Sequence, residues 1–294
     1  MKKYFIILFL TTLVFGKVNI VSSTTDLADI AKTIGGNRVK VTSISNGKQD
    51  HHYVEILPSY MLKVKKADVY LKVGLELDMW ANQIIDGSRN RNLIIVNCAE
   101  NIEPLEIPTT KINASMGDIH KMGNPHYWLD PENGKIIAKN ILKTLITVDP
   151  EGLDFYENNY RKFITIIDES LSKWSSEFSH LKNKKMIFYH NSWPYFNSRF
   201  GIEAVQFVEP KPGIMPSPAH LEKLLHIIKS NNIEIIGMET YFSDKAPQFL
   251  SEKTNIKIIR LAQSVGALPG TETYLEMINY NLIAISNAFG AHND

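Results

Sequence analysis

Short β-branched runs alternate with stretches of helical periodicity in the first half of the chain. The runs predict strands at residues 18–21, 39–44, 69–73 and 93–96, and the stretches between them predict helices at 27–34, 60–67 and 77–85. The pair Gly35-Gly36 fits the end of the first helix. Because strands that alternate with helices pair in parallel and are covered by those helices, this half predicts an α/β lobe.

A different pattern starts near Glu151. Apolar and aromatic residues recur at three- and four-residue steps as far as Leu181, with no Pro and with no Gly after Gly152. One unbroken helix of ~30 residues would be ~45 Å long, well above the usual length in globular domains. We expect this helix to link two lobes.

The alternation resumes after the linking helix. It predicts strands at 185–189, 204–208, 233–238 and 256–261, and helices at 193–200, 218–230, 245–254 and 271–289. The predicted fold is therefore α/β, with two lobes that are each a mainly parallel sheet with flanking helices, joined by one long helix. The predicted boundaries are 17–149 for the N-terminal lobe, 150–182 for the linking helix and 183–294 for the C-terminal lobe. A chain of 294 residues with 44% hydrophobic residues can build a core in each lobe.

Residues 1–16 have the pattern of a secretory signal peptide. Lys2 and Lys3 precede an apolar run at 4–15, and Gly16 is a small residue at the expected cleavage point. The run is short for a membrane span, and no later segment approaches the ~20 apolar residues that a span requires. Cys98, the single cysteine, offers no disulfide and lies far from the point where a lipid would attach, and we expect it to be buried on a strand. We expect a soluble exported protein, in the periplasm where the cell has one, although a retained signal would anchor it.

Charge excludes one class of partner. The 32 basic and 31 acidic residues nearly cancel, and no run of Lys or Arg is interleaved with aromatics. Nucleic-acid binding needs such a run to track the phosphate backbone. We therefore expect no nucleic-acid partner.

Three histidines, His52, His126 and His190, lie about seventy residues apart in loop-like segments. The segments of His52 and His190 follow predicted strands, at the carboxyl ends where open α/β folds bind ligands, and Pro125 holds His126 on a stiff turn. Imidazole is the commonest zinc ligand, but three of them from separate segments form one site only if the lobes face one another. Each histidine alone also fits a hydrogen-bonded structural residue.

The residues around these histidines resemble a known family. The matching segments are 49–59, 66–68, 73–80, 209–218 and 274–281, together with Asn124-Pro125-His126-Tyr127-Trp128-Leu129-Asp130-Pro131 and Tyr189-His190 followed by Trp193-Pro194-Tyr195-Phe196. In combination they resemble the metal-binding solute receptors of ABC importers for zinc and manganese. The resemblance covers nearly all of the chain after residue 16.

The resemblance implies that His52, His126 and His190 bind a divalent metal, which the protein carries to an ABC permease in the inner membrane. The family's Asp-Pro-His falls on Asp50-His51-His52, with His51 in place of the proline. The fourth position is open. Many relatives have an aspartate shortly after the last strand, where this chain has Ala262-Gln263-Ser264, so that Gln263, a water molecule or the strand-end carboxylate Glu239 are the alternatives.

This departure favours Zn²⁺ as the transported ion, with Mn²⁺ second. Three neutral imidazoles and a weak or absent carboxylate suit the low coordination number of zinc, whereas manganese favours more oxygen ligands. We expect the protein to act as a monomer.

Other residues in these segments have alternative roles. His120 either collects metal near the cleft or is solvated, and His51 is a structural residue, a neighbouring ligand or a gate. Asn191 is a candidate for orienting an imidazole. The aromatic residues of the loops are expected to pack between the lobes, namely Tyr127, Trp128, Trp193 and Tyr195.

Two other classes of function remain open. A three-histidine zinc with a free position also suits a hydrolase, with Glu239 as the base. Residues 262–266, with Ser264 at the centre, loosely resemble a nucleophile elbow, although Pro269-Gly270 cannot begin the helix that such an elbow requires. A surface adhesin is the third class. A non-enzymatic receptor is favoured because the resemblance extends over both lobes.

Overall fold

Two four-stranded parallel sheets form the centres of two lobes. The computed structural model describes residues 16–110, 117 and 120–290. The first sheet has the strand order β2-β1-β3-β4 and the second the order β6-β5-β7-β8, so both have the same topology. The strands are β1 (Val18–Ser22), β2 (Val39–Ser43), β3 (Val69–Lys72), β4 (Ile94–Asn97), β5 (Lys185–Phe188), β6 (Glu203–Phe207), β7 (Ile235–Met238) and β8 (Lys257–Arg260). The two-lobe α/β prediction is confirmed.

Helices cover these sheets and connect the lobes. They are α1 (Thr25–Gly35), α2 (Pro58–Lys65), α3 (Trp80–Ser88), α4 (Pro131–Val148), α5 (Leu153–Glu177), α6 (Pro194–Phe200), α7 (Pro218–Ser230), α8 (Lys245–Thr254) and α9 (Tyr274–Ala288). The sequence interpretation missed α4, although its start signals are present. The Asp130 side chain accepts the Glu132 N–H, and Pro131 occupies the first turn.

The long helix is shorter than expected and is not an isolated strut. Short 3₁₀ turns at Pro150–Gly152 and Ser179–Leu181 flank α5, whose 25 residues replace the single helix expected at 151–181. The helix packs along α4 and α1, and the Trp174 indole donates to the Asn279 side chain of α9 (2.9 Å). Helix α5 is therefore part of a continuous core. The boundaries at 149 and 182 stay a prediction.

Buried apolar side chains continue from one lobe to the other. One cluster contains residues of β1 and α1, the α4–α5 pair, β5 and α9. Cys98, directly after β4, is fully buried in it, which confirms its predicted burial. No helix among the described residues is long and apolar enough to cross a membrane. The expected signal peptide lies outside the described residues except for Gly16.

Candidate metal centre

The fold brings His52, His126 and His190 together. His52 lies in the loop after β2, His126 precedes a 3₁₀ turn that leads into α4, and His190 follows β5. One nitrogen from each ring lies within 4.8 Å of the nitrogens of the other two. The ring centroids of His52 lie 5.3 Å from those of both other histidines. Separate segments of both lobes thus form a single cluster of imidazoles.

Each of the three rings is oriented through its Nδ1 atom. The partners are Asp50 for His52 (2.7 Å), Asn124 for His126 (2.9 Å) and Glu209 for His190 (2.7 Å). Carboxylate and side-chain carbonyl oxygens only accept hydrogen bonds, so each Nδ1 carries a proton, and in the neutral form of each ring Nε2 keeps its lone pair. The Nε2 atoms of His52 and His126 are buried with no hydrogen-bond partner. A metal ion bound between these nitrogens would give the buried lone pairs a partner.

Burial and neighbouring charges shift the pKa values of His126 and His190 in opposite directions. Burial, followed by the positive charges that His52 and His190 would carry, holds the pKa of His126 well below its usual value. Burial also opposes the charged form of His190, but the hydrogen bond that its ring donates to Glu209 and the nearby carboxylates outweigh it and raise the pKa of His190. His126 is therefore neutral at physiological pH, and its Nε2 lone pair is available to a metal ion.

His120 lies directly over His52 rather than in solvent. The two rings stack with centroids 5.2 Å apart and planes at 26°, and His120 Nε2 is buried without a partner. Burial, followed by repulsion from His52, lowers the pKa of His120 to about 3. The ring lines a cavity of about 380 Å³ together with His52, Glu76 and Met79. The expectation of a solvated His120 is wrong, but its ring does not join the group of three.

The predicted candidates for the fourth position differ in availability. Glu239, after β7, is buried; its Oε1 accepts the Trp193 indole N–H (2.9 Å) and its Oε2 has no partner. Burial raises the pKa of Glu239 to about 7, although His190 acts in the opposite direction. Glu239 is not in the group of three. The Gln263 amide is in use at both ends, since its oxygen accepts the Tyr241 hydroxyl and its nitrogen donates to Ser192 Oγ (3.0 Å).

His51 faces away from the cluster. Its Nδ1 contacts the Ser45 hydroxyl (2.9 Å), and its Nε2 contacts the Ser264 hydroxyl. The elbow hypothesis did not foresee this Ser264–His51 pair. Both side chains are almost completely buried, and the second partner of the imidazole is a hydroxyl rather than a carboxylate, so the pair has neither substrate access nor a catalytic orienting group.

Sequence reasoning missed the groups that orient the imidazoles. The Asn191 side chain contacts Glu106 (2.8 Å), so its predicted role was wrong. Asp50 and Asn124 each stand two residues before a histidine, and each also accepts the backbone N–H of that histidine. This spacing was a readable signal. Glu209 lies 19 residues after His190, and no such spacing linked it to the histidine. The predicted burial of the loop aromatics Tyr127, Trp128, Trp193 and Tyr195 is confirmed.

Two parallel-sheet lobes that bring three oriented imidazoles together define a metal-binding solute receptor. The chain belongs to the family described as zinc-uptake complex component A, periplasmic (ZnuA), whose model matches residues 20–288. Members of this family are substrate-binding components of metal ABC importers.

Curated relatives and solved structures resemble the chain over most of its length. The manganese ABC transporter substrate-binding lipoprotein PsaA of Streptococcus pneumoniae is 26% identical over 282 residues, which are 92% of this chain and 88% of PsaA. ScaA of Streptococcus gordonii, described in the same words, is 27% identical with the same coverage. A crystal structure of ZnuA superposes with a TM-score of 0.81 at 24% identity, covering 92% of this chain and 99% of that one. A zinc-bound ZnuA deletion mutant gives 0.78 at 26% identity, covering 92% and 98%.

Proposed function

We propose that the protein captures one zinc ion through His52, His126 and His190 and delivers it to an ABC permease. The convergence of three imidazoles within 4.8 Å, each fixed through Nδ1, carries the proposal. Zinc is cargo in this function, so the site has to release it as well as bind it. The similarity to receptors described for zinc and for manganese supports the capture and delivery of a divalent metal.

The choice of zinc over manganese follows from where the carboxylates point. Asp50 and Glu209 contact the Nδ1 atoms of His52 and His190 and thereby act on the rings. The cluster therefore offers mainly neutral nitrogen, which suits zinc, whereas manganese favours oxygen ligands. The curated relatives named above are manganese receptors, so metal preference is the point that an experiment has to decide.

We expect metal-stripped protein to bind one zinc ion per chain, and to bind zinc at least about tenfold more tightly than manganese. Calorimetric titration with each metal, and competition between them, measures this preference. Elemental analysis of protein purified without added metal shows which metal the protein carries from the cell. Tighter binding of manganese would reject the zinc assignment, and binding of neither metal would reject the capture function.

Glu239 is the proposed fourth ligand. Its Oε2 is buried without a hydrogen-bond donor, and the charge of His190 acts on it, so a dication bound beside it would compensate the buried carboxylate. Gln263 is already committed to Tyr241 and Ser192. A water molecule is the alternative occupant of this position.

The Glu239→Gln variant tests this assignment because glutamine keeps the size of the side chain and can still accept the Trp193 N–H. We expect zinc affinity to fall roughly 10- to 100-fold, the usual range for loss of a group that supports a metal site. Glu234→Gln, at the exposed residue directly before β7, is the matched control and should bind like wild type. Unchanged affinity in Glu239→Gln would assign the fourth position to water.

The proposed setting is the periplasm, with the permease in the inner membrane as partner and the receptor acting as a monomer. The signal-like residues 1–16 support export. The relatives PsaA and ScaA are described as lipoproteins. In this chain Cys98 is buried in the core.

A further inference from the structure

The loop after β8 contacts the chain beside each of the three histidines. The Ser264 hydroxyl contacts Nε2 of His51, the residue before His52. The Gln263 carbonyl accepts the indole N–H of Trp128, two residues after His126 (2.8 Å). The Gln263 amide nitrogen donates to the hydroxyl of Ser192, two residues after His190 (3.0 Å). One short segment, residues 263–265, is thus bonded next to every member of the cluster.

These hydrogen bonds lie in the interior. Gln263, Ser264 and their partners His51, Trp128 and Ser192 are each at most 2% exposed. A buried polar group that loses its partner costs much more than the same group in water, so each bond restrains both of its ends. The positions of the three histidine-bearing loops are therefore coupled through residues 263–265.

Residues 263–265 are also hydrogen-bonded to α1, the first helix of the N-terminal lobe. The Val265 N–H donates to Asp26 Oδ1 (2.9 Å), and the Thr25 hydroxyl donates to the Val265 carbonyl (2.8 Å). Both partners lie in the first turn of α1. The segment follows the last strand of the C-terminal sheet, so these bonds cross between the lobes.

We propose that Gln263 and Ser264 are positioning residues of the metal site, which align the three imidazoles across the lobe boundary without touching the ion. The inference rests on the proposed zinc-capture function. Metal sites require ligands held within about 0.5 Å of their productive positions, and residues 263–265 are the part of the described chain that bonds beside all three ligands. Opening of the lobes would withdraw the segment and so loosen all three rings together.

The test compares Ser264→Ala with Thr25→Val. Ser264→Ala removes the contact to His51, whereas Thr25→Val removes an interlobe hydrogen bond to the same segment that touches no histidine loop. Zinc titration and the visible spectrum of the cobalt-loaded protein, which reports ligand geometry, are measured beside the melting temperature of the metal-free protein.

We expect Ser264→Ala to weaken zinc binding roughly 10- to 100-fold and to alter the cobalt spectrum. Thr25→Val should lower the melting temperature without changing either reading. Gln263→Leu, which removes the bond to Ser192, is a second variant with the expected behaviour of Ser264→Ala and guards against a folding defect in one of them.

Wild-type affinity and spectrum in both Ser264→Ala and Gln263→Leu would overturn the positioning role while leaving zinc capture intact. Equal losses of affinity in Thr25→Val and Ser264→Ala would also overturn it, because lobe docking in general would then be responsible. Absence of zinc binding by the wild type would instead reject the function on which the inference rests.

Discussion

Replacing His126 by alanine is expected to weaken zinc binding roughly 100- to 1,000-fold. Structural zinc sites have apparent binding free energies of about 10–16 kcal/mol, so an equal share for each of four ligands is about 2.5–4 kcal/mol. His126 is 1% exposed, and Asn124 fixes its ring through Nδ1, so its replacement removes a buried and already oriented ligand.

Titration of the metal-stripped variant with zinc measures this loss. His226→Ala is the matched control, because His226 is an exposed histidine of α7, and it should bind like wild type. His52→Ala and His190→Ala should give losses of the same order. A His126→Ala protein that binds one zinc with wild-type affinity would remove this residue from the site, and the same result in all three variants would exclude the cluster.

The second large effect is expected from Gly47→Ala, in the loop between β2 and His52. A Cβ atom at position 47 would lie 2.2 Å from the Val265 carbonyl oxygen and 2.8 Å from the Ala267 nitrogen. Both are backbone atoms of the loop after β8, which cannot rotate away as a side chain can. The two lobes would have to separate locally, at a cost of about 3 kcal/mol for an overpacked interior.

For a chain of this size that cost corresponds to a fall in melting temperature of about 5–10 °C. Zinc affinity should fall as well, since the displaced loop bonds to His51 and Trp128. Gly87→Ala is the control: its Cβ would meet only the flexible Met61 side chain, and alanine is favoured over glycine inside a helix such as α3. Equal melting temperatures for Gly47→Ala and wild type would show that the lobe contact at Val265 is dispensable.

These predictions imply a receptor whose metal affinity depends on the hydrogen bonds that the loop after β8 makes beside the three histidines. The core continues through α5 and α9, which limits how far the lobes can separate. Release of the ion to a permease then needs only a local withdrawal of the loop after β8 from His51, Trp128 and Ser192, rather than wide opening of the cleft.

The sequence by itself determined the repeating α/β architecture and identified the three histidines as candidate metal ligands. Hydrophobic periodicity is local, so strands such as β1 and β3 and helices such as α7 were predicted within a few residues of their observed ends. The interpretation failed at α4, where the start signals of Asp130 and Pro131 were overlooked, and at the ends of α5, where 3₁₀ turns replace the outer parts of the expected helix.

Only the tertiary structure decided which groups act on those histidines. Glu209 reaches His190 from the end of the neighbouring strand, Ser264 pairs with His51 across 213 residues, and Gln263 turns to Tyr241 and Ser192 instead of the metal cluster. His120 proved to be stacked on His52. Contacts between distant segments depend on how the lobes dock, and no periodicity along the chain encodes the direction in which a buried polar side chain points.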